Sequence, residues 1–530
     1  TNRLTLNLGI RYDLYRPITE GKNQQATFDF RSDTLFVPKG TTTPLTPTIA
    51  SFLPISATAP PGLVPPMDTN FSPRIGFAYQ LTEKLVLRGG YGIFYGGTES
   101  GPFSFPSPGF SPPFFRSQTF SSLCGSAGAL PAIANPALGN ANCAVGVKPG
   151  TGGGPPDTTL MINDMWTGGY PATSLSDPNN PPLFSLQPNL KNPMMQQWHL
   201  GMEYQLPHET VVKISYAGSH GEDLYGFYNG NQAALAPPAC DVPTPPPSCS
   251  LDARRPFPAV NGTISTFRSN TISNYNSLQA HVEKRASHGL TFDASYTYSH
   301  SLDDASSASL GSLNNADFRN QADPGLEYGN SDFDVRQHMV VGYSWELPLG
   351  RGQAVGGDAS GFLNGVIGNW QVSGIVSASS GNWFTVSDTT TNDTNVDCGG
   401  TVAFNCSRPN VVGNPNGKPC VAGTFFNTCA FASNTTPNTF GDEGRNSVRG
   451  PGYQTWDMSI LKTFPMNEGM RFEFRADFFN MWNHTNPLWA PFGAAGQVAP
   501  TAIEIGTAQF GHFQAAKDPR FIQFALKFYF

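Results

Sequence analysis

The stretch Phe521-Ile-Gln-Phe-Ala-Leu-Lys-Phe-Tyr-Phe530 decides the fold. Successive side chains of a strand point to opposite sides, so Ile522, Phe524, Leu526, Phe528 and Phe530 share one face. Gln523, Ala525 and Lys527 share the other with Tyr529. Such an alternation means one apolar face and one mostly polar face. An aromatic strand is an unusual ending for a soluble domain, whose termini fray. A strand closing a membrane barrel presents its apolar face to lipid.

The opening residues repeat the pattern. Leu4, Leu6, Leu8, Ile10, Tyr12 and Leu14 lie on one face, and Arg3, Thr5, Asn7, Gly9, Arg11 and Asp13 on the other. Burying Arg3, Arg11 and Asp13 in a dry sandwich core would be costly, so their face is expected to be wet. Equivalent runs recur around short turns at Thr82–Lys84, Pro207–Glu209, Ala286–His288 and Pro465–Glu468. With the runs through Trp345, Trp370 and Trp456 they make about twelve strands. Between them lie long stretches rich in Gly, Pro, Ser, Thr and Asn, at 16–70, 96–193, 218–275, 301–333, 381–452 and 482–519. Loops of this length count against a compact soluble domain. They suit the outer side of an outer-membrane barrel, whose inner turns are short. A further short strand is expected around Ala26, Phe28 and Phe30. If each strand crosses once, every short turn and the connection at 348–367 fall on one side and every long loop on the other. The last strand then ends on the short-turn side, the periplasm.

Composition agrees. The 530 residues carry 31 basic and 38 acidic side chains, a net charge of -7, which argues against nucleic acid as a partner. Only 13% of residues are charged, and 56 Gly and 47 Pro favour turns and loops over helices. No continuous apolar segment reaches the about 18 residues of a transmembrane helix, but a barrel strand needs only about 9–11 alternating ones. No signal peptide is visible, and Thr1 reads as a cut or processed start.

All eight cysteines fall in expected long loops, in neighbouring pairs: Cys124 with Cys143, Cys240 with Cys249, Cys398 with Cys406, and Cys420 with Cys429. Local disulfides are expected, which requires an oxidising compartment. The rival, a metal cluster, lacks any Cys-x-x-Cys spacing.

In these features the chain resembles the β-barrel part of TonB-dependent outer-membrane transporters, and among them the Oar-like group with a carboxypeptidase-regulatory-like domain. The resemblance rests on Leu4–Tyr12, Phe71–Tyr79, Arg88–Tyr95, Asp334–His338, Asn369–Gly374, the block Gly444-Arg-Asn-Ser-Val-Arg-Gly-Pro-Gly452, Trp456-Asp457 and Phe478–His484, in that order, ending at Phe530. It implies an all-β, antiparallel transmembrane barrel of about 22 strands, of which residues 1–530 would be the C-terminal part. The signal peptide, regulatory-like domain, TonB box and plug would lie outside this chain. The resemblance further implies outer-membrane localisation, lipid as surroundings, a TonB complex as partner through the N-terminal part, and the barrel-assembly machinery as reader of Ile522, Phe524, Leu526, Phe528 and Phe530.

There is no Walker-type loop, His-Glu-x-x-His pair or Gly-x-Ser-x-Gly elbow, so neither an enzyme nor a cofactor is expected. His199, His281, His300 and His338 are expected at the rim or lumen rather than as catalytic bases. Gly444–Gly452 could cradle an anion through Arg445 and Arg449; the favoured expectation is a Gly/Pro-shaped strand start. Asp388, Asn392, Asp393, Asn395 and Asp397 invite a calcium reading but lack the EF-hand glycine and distal glutamate, so a solvated loop is favoured. Arg3, Arg11, Lys213, Glu283, Lys462, Arg471, Glu473 and Arg475 are assigned to the polar face, to line a pore or brace a plug. Tyr12, Tyr95, Tyr204, Tyr298 and Trp345 fit interfacial girdles. The function that the resemblance implies is transport of a bulky ligand. Alternatives are an adhesive or structural outer-membrane protein, and a secreted β-rich binding protein, which would need a fixed repeat that is not found.

Overall fold

The computed structural model describes residues 3–42, 53–97, 114, 183–240, 242, 246–258, 260, 264–287, 289–306, 318–388, 396–397, 408–467, 469–487, 503–513 and 515–530. Twelve long strands run in sequence order through one antiparallel meander: β1 (Leu4–Tyr12), β2 (Phe71–Gln80), β3 (Leu85–Tyr95), β4 (Met194–Leu206), β5 (Thr210–Asn229), β6 (Ser265–Ser287), β7 (Leu290–Asp303), β8 (Gln337–Glu346), β9 (Trp370–Ser379), β10 (Tyr453–Asn467), β11 (Met470–Phe479) and β12 (Phe521–Tyr529). Phe184–Leu186 and Gly329–Asn330 add short segments at β6 and β7. No described helix is long and apolar enough to cross a membrane.

The local alternation becomes a continuous wall because register aligns like with like. One row runs Leu6, Phe77, Gly89, Leu200, Tyr216, Leu278, Tyr298 across seven strands. At the other end Phe472, Phe474 and Phe478 face Phe528, Leu526 and Ile522. The large side chains here are left bare: Leu6 is 57% exposed and Leu526 68%. An apolar band of this extent would drive aggregation in water and is the expected outer wall in hydrocarbon.

The short connections lie together at one end. In β4–β5 the chain turns through His208 and Glu209, both at positive φ (58° and 55°). The turns of β6–β7 and β10–β11 use Gly289 (φ 73°) and Gly469 (φ 100°), a left-handed geometry that costs glycine little. The β8–β9 connection carries the helix Gly361–Ile367. All long connections lie at the opposite end.

One expectation about the loops needs correction. The span 218–275 is not all loop: β5 has 20 residues and β6 has 23, about twice what a crossing requires, so their far ends stand clear of the hydrocarbon. The long loops carry short strands of their own, one of them at the expected Phe28. Thr27–Asp29, Thr34–Pro38 and Ile55–Ala59 form a three-stranded sheet. Trp383–Phe384 pairs Val448–Arg449, Ser387–Asp388 pairs Glu504–Ile505, and Asn410–Val411 pairs Phe431–Ala432.

The dry core sits in these loops. Phe28, Leu35, Val37, Leu53 and Ile264 form one cluster. Leu63, Val64, Phe184 and Leu186 form a second with Tyr225, Phe227 and Phe267 from the extended ends of β5 and β6. Phe384, Val386, Phe426, Phe431, Val448 and Ile503 form a third. Scattered phenylalanines in a Gly/Pro-rich background have no period, so the sequence hides this core. Among the described residues β1 pairs only with β2 and β12 only with β11, which leaves the meander two unpaired edges.

Candidate functional site

The loop assembly is anchored to the strand ends by buried charge. At its centre Arg319 and Arg408 converge on Glu327, all three side chains at most 4% exposed. Arg319 Nε lies 3.3 Å from Glu327 Oε1, and Arg408 Nη2 donates to Glu327 Oε2. Arg319 Nη1 also donates to the carbonyls of Gly441 (2.7 Å) and Glu443 (3.0 Å). Arginine suits this role because its planar fork spreads donors over several acceptors.

Beside this group, Glu443 is fully buried. Its Oε1 accepts from the Val386 amide (3.0 Å) and the Ser447 hydroxyl (2.7 Å), while Oε2 has no hydrogen-bond partner. Burial pushes its carboxyl up to about 7 against the pull of Arg408 and Arg319. Burial also raises Asp304 to about 6 and shifts Asp332 upward.

The block Gly444–Gly452 and the Asp334–His338 segment meet here. Arg445 donates to the Asp303 carboxylate and carbonyl, to Ser306 Oγ (3.0 Å) and to the Glu327 carbonyl (2.8 Å). Asn446, at φ 52°, donates through Nδ2 to the Asn330 carbonyl (2.6 Å) and Asp332 Oδ1 (2.7 Å). Asp334 accepts from the Ser301 amide (2.6 Å), Arg336 Nε and Trp383 Nε1 (both 2.8 Å). Arg336 and Arg449 lie over the Trp383 ring at 5.6 and 4.8 Å. Arg445 is thus spent on a carboxylate and Arg449 stacks on an indole. The block shapes the chain into β10, as the strand-start reading has it.

The acidic run is structural where it is described. Asp397 pairs with Arg255 (2.6 Å) and accepts from the Ala233 amide (2.8 Å), while Asp388 accepts from the Asn434 amide (3.1 Å). Asn392, Asp393 and Asn395 lie outside the described residues. No group of three metal-ligating side chains occurs among those described. Disulfides join Cys240 to Cys249 and Cys420 to Cys429; Cys124, Cys143, Cys398 and Cys406 lie outside the described residues.

On the polar face, register sets Lys213 between Glu203 and His281, Glu283 beside Asp293, and Glu473 beside Lys527. Arg471 lies over the Tyr529 ring (4.1 Å), and Arg475 pairs with Asp477 (2.7 Å). Arg11 pairs with Asp13 (2.6 Å), and the Arg3 carbonyl accepts from the Gln80 amide. Lys462 does not belong with them. It registers with Trp370 and Phe474, on the apolar face with Ile460 and Met458. Counting by twos from Trp456 lands on 462, so the strand's period, and not the side chain's charge, sets its face. Its ammonium is sheltered, donating to the Gly368 carbonyl and lying over Trp370 (5.2 Å) and Phe464 (5.1 Å).

Of the histidines, His281 contacts Ser295 (2.9 Å) and Asp293 (3.3 Å), and His300 contacts Asn330 (3.1 Å). His199 registers with Gly90 and Ala217. His338 joins Tyr296, Met339, Tyr453, Gln454 and His484 around a rim pocket of about 650 Å³ at the loop ends of β7–β10, which sequence reasoning missed. Its lining comes from five separate chain segments. Tyr12, Tyr95 and Tyr298 lie near the loop ends of their strands, and Tyr204 and Trp345 near the short connections. Ile522, Phe524, Leu526 and Phe528 line the apolar wall, and Phe530 is 96% exposed.

A bare apolar wall, ladders in sequence order, short turns on one side and packed loops on the other define an outer-membrane β-barrel protein. The chain belongs to the outer membrane beta barrel domain family, whose model matches residues 1–523. Among solved structures it is similar to the outer membrane transporter YddB from Escherichia coli, at 9% identity and a TM-score of 0.38 over 87% of this chain and 41% of that one. The ferripyoverdine receptor of the outer membrane of Pseudomonas aeruginosa shares 10% identity at a TM-score of 0.36, over 88% of this chain and 34% of that one. The ferric preacinetobactin receptor BauA from Acinetobacter baumannii shares 10% at 0.35, over 88% and 37%. The chain thus spans about two fifths or less of the length of these structures. None of the curated proteins compared with it matches.

Proposed function

We propose that this chain is the C-terminal barrel part of a TonB-dependent transporter of the Oar-like type, moving a bulky ligand across the outer membrane. The observation that carries the reading is the loop assembly. Three apolar clusters and a buried ion network hold a large, ordered surface above a barrel wall, more structure than anchoring alone requires. Among the described residues β1 and β12 each have one unpaired edge, and open ladders are not tolerated in hydrocarbon, so in this reading those edges are paired in the membrane. In this reading the loops capture ligand, the polar face lines the passage, and a plug and TonB contact are supplied by sequence outside this chain. Ile522, Phe524, Leu526, Phe528 and Phe530 act as the assembly signal; deleting Phe530 in the full-length protein should lower the amount inserted, and normal insertion would remove that role.

Transport is tested by deleting the full-length gene and measuring uptake of ferric chelates, cobalamin, glycans and peptides. At least one uptake should fall, and fall equally when TonB is deleted. Unchanged uptake throughout, with loss of surface attachment, would favour the adhesive alternative.

A further inference from the structure

The periplasmic connection between β8 and β9 holds the helix Gly361–Ile367, and its two sides are chemically distinct. Asn364 and Ile367 face the protein: Asn364 Oδ1 accepts from the Arg351 amide (2.6 Å), and Ile367 packs against Gly356. Phe362, Leu363 and Val366 face outward, Phe362 at 87% exposure, second only to the terminal Phe530 among the described large apolar side chains. Their spacing i, i+1, i+4 puts them on one stripe.

What this stripe meets follows from how the helix is docked. Trp370, on the apolar face of β9, donates its indole N–H back to the Val366 carbonyl (2.9 Å). Lys462, on the apolar face of β10, donates to the carbonyl of Gly368, just past the helix end. Both links start from the lipid-facing side of the wall. The helix is therefore fixed at the inner end of that face. A Trp whose N–H is bonded and whose ring lies in the wall, with a lysine folded toward polar carbonyls, is the pattern of a membrane–water interface.

We infer that Gly361–Ile367 is an interfacial anchor, which lays Phe362, Leu363 and Val366 into the periplasmic leaflet of the outer membrane and takes phospholipid as its partner. The inference rests on the outer-membrane wall and not on transport. Lys462 and Trp370 are its positioning residues, since they tie the helix to the lipid-facing side of the wall.

Photo-crosslinking of the full-length protein in its native membrane tests this. A benzophenone side chain is placed singly at Phe362, Leu363 or Val366, at Leu200 on the wall, and at Gln353, an exposed polar position in the same connection. Lipid adducts are read by mass spectrometry on protein that shows normal heat-modifiable migration. The expected result is phospholipid adducts at Phe362, Leu363 and Val366 in yields close to Leu200, and several-fold fewer at Gln353. Lipid at Leu200 without lipid on the helix overturns the inference and leaves the wall intact. Adducts from the helix to a protein overturn it in favour of a polypeptide partner. No lipid at any position overturns it together with the wall.

Discussion

Arg445 shows how much one loop residue can carry. It neutralises Asp303, which is 2% exposed, and ties the Gly444–Gly452 block to the end of β7. Truncating one partner of a buried pair leaves an uncompensated charge and costs about 3–5 kcal/mol. Arg445→Ala should therefore release 408–452 to limited proteolysis while the strands stay protected. Arg445→Lys should rescue only in part, since one ammonium cannot serve four acceptors. Glu443 makes a pH prediction. Its folded pKa, about 7, lies above its unfolded value, so the folded loops bind the extra proton. That contribution is complete below the unfolded value and is lost as pH rises through about 7. The Val386 amide should exchange faster as pH climbs across this window, beyond the intrinsic base-catalysed trend. Glu443→Gln should flatten the excess. None of this network was legible in the sequence. Arg319 and Glu443 stand 124 residues apart in aperiodic loops, and nothing local marks them as partners.

At the scale of the element, the strands were legible because a period of two is a local signal. Ile214 faces Met202 and Ala280 on the wall, and its neighbour Ser215 faces Gly201 and Gln279 on the polar side. Ile214→Arg should cost about 2–4 kcal/mol near the bilayer midplane, whereas Ser215→Arg should be tolerated. The folded fraction on unheated gels would show the contrast; equal effects would refute the sidedness. The far halves of β5 and β6 were not legible, because alternation dissolves after Tyr216 into Ala-Gly-Ser-His-Gly. Their pairing from Tyr225 to Asn229 is secured instead by Phe267 and the loop core. The Cys240–Cys249 link closes a short loop there. Chain entropy alone assigns a loop of this size about 2–3 kcal/mol, so Cys240→Ser with Cys249→Ser should loosen 230–264 to protease and leave barrel assembly unchanged.

For the whole molecule, sidedness was the most accessible property, since strand count and loop length together fix which end of each strand is which. The division of labour between wall and loops was not accessible. A period of two reports a wall and stays silent about phenylalanines packed without period. Those clusters give the protein two kinds of cohesion. The wall is held by ladder hydrogen bonds and by its lipid or detergent surroundings, whereas the loops hold together by expelling water. Heat capacity separates the two, because only exposure of apolar surface to water raises it strongly. Calorimetry in detergent should accordingly resolve a first melt with a large heat-capacity step, belonging to the loops. A second, at higher temperature and with a smaller step, belongs to the strands. A bacterium warmed between those two temperatures would keep this wall in its envelope while the outward-facing loops had already come apart.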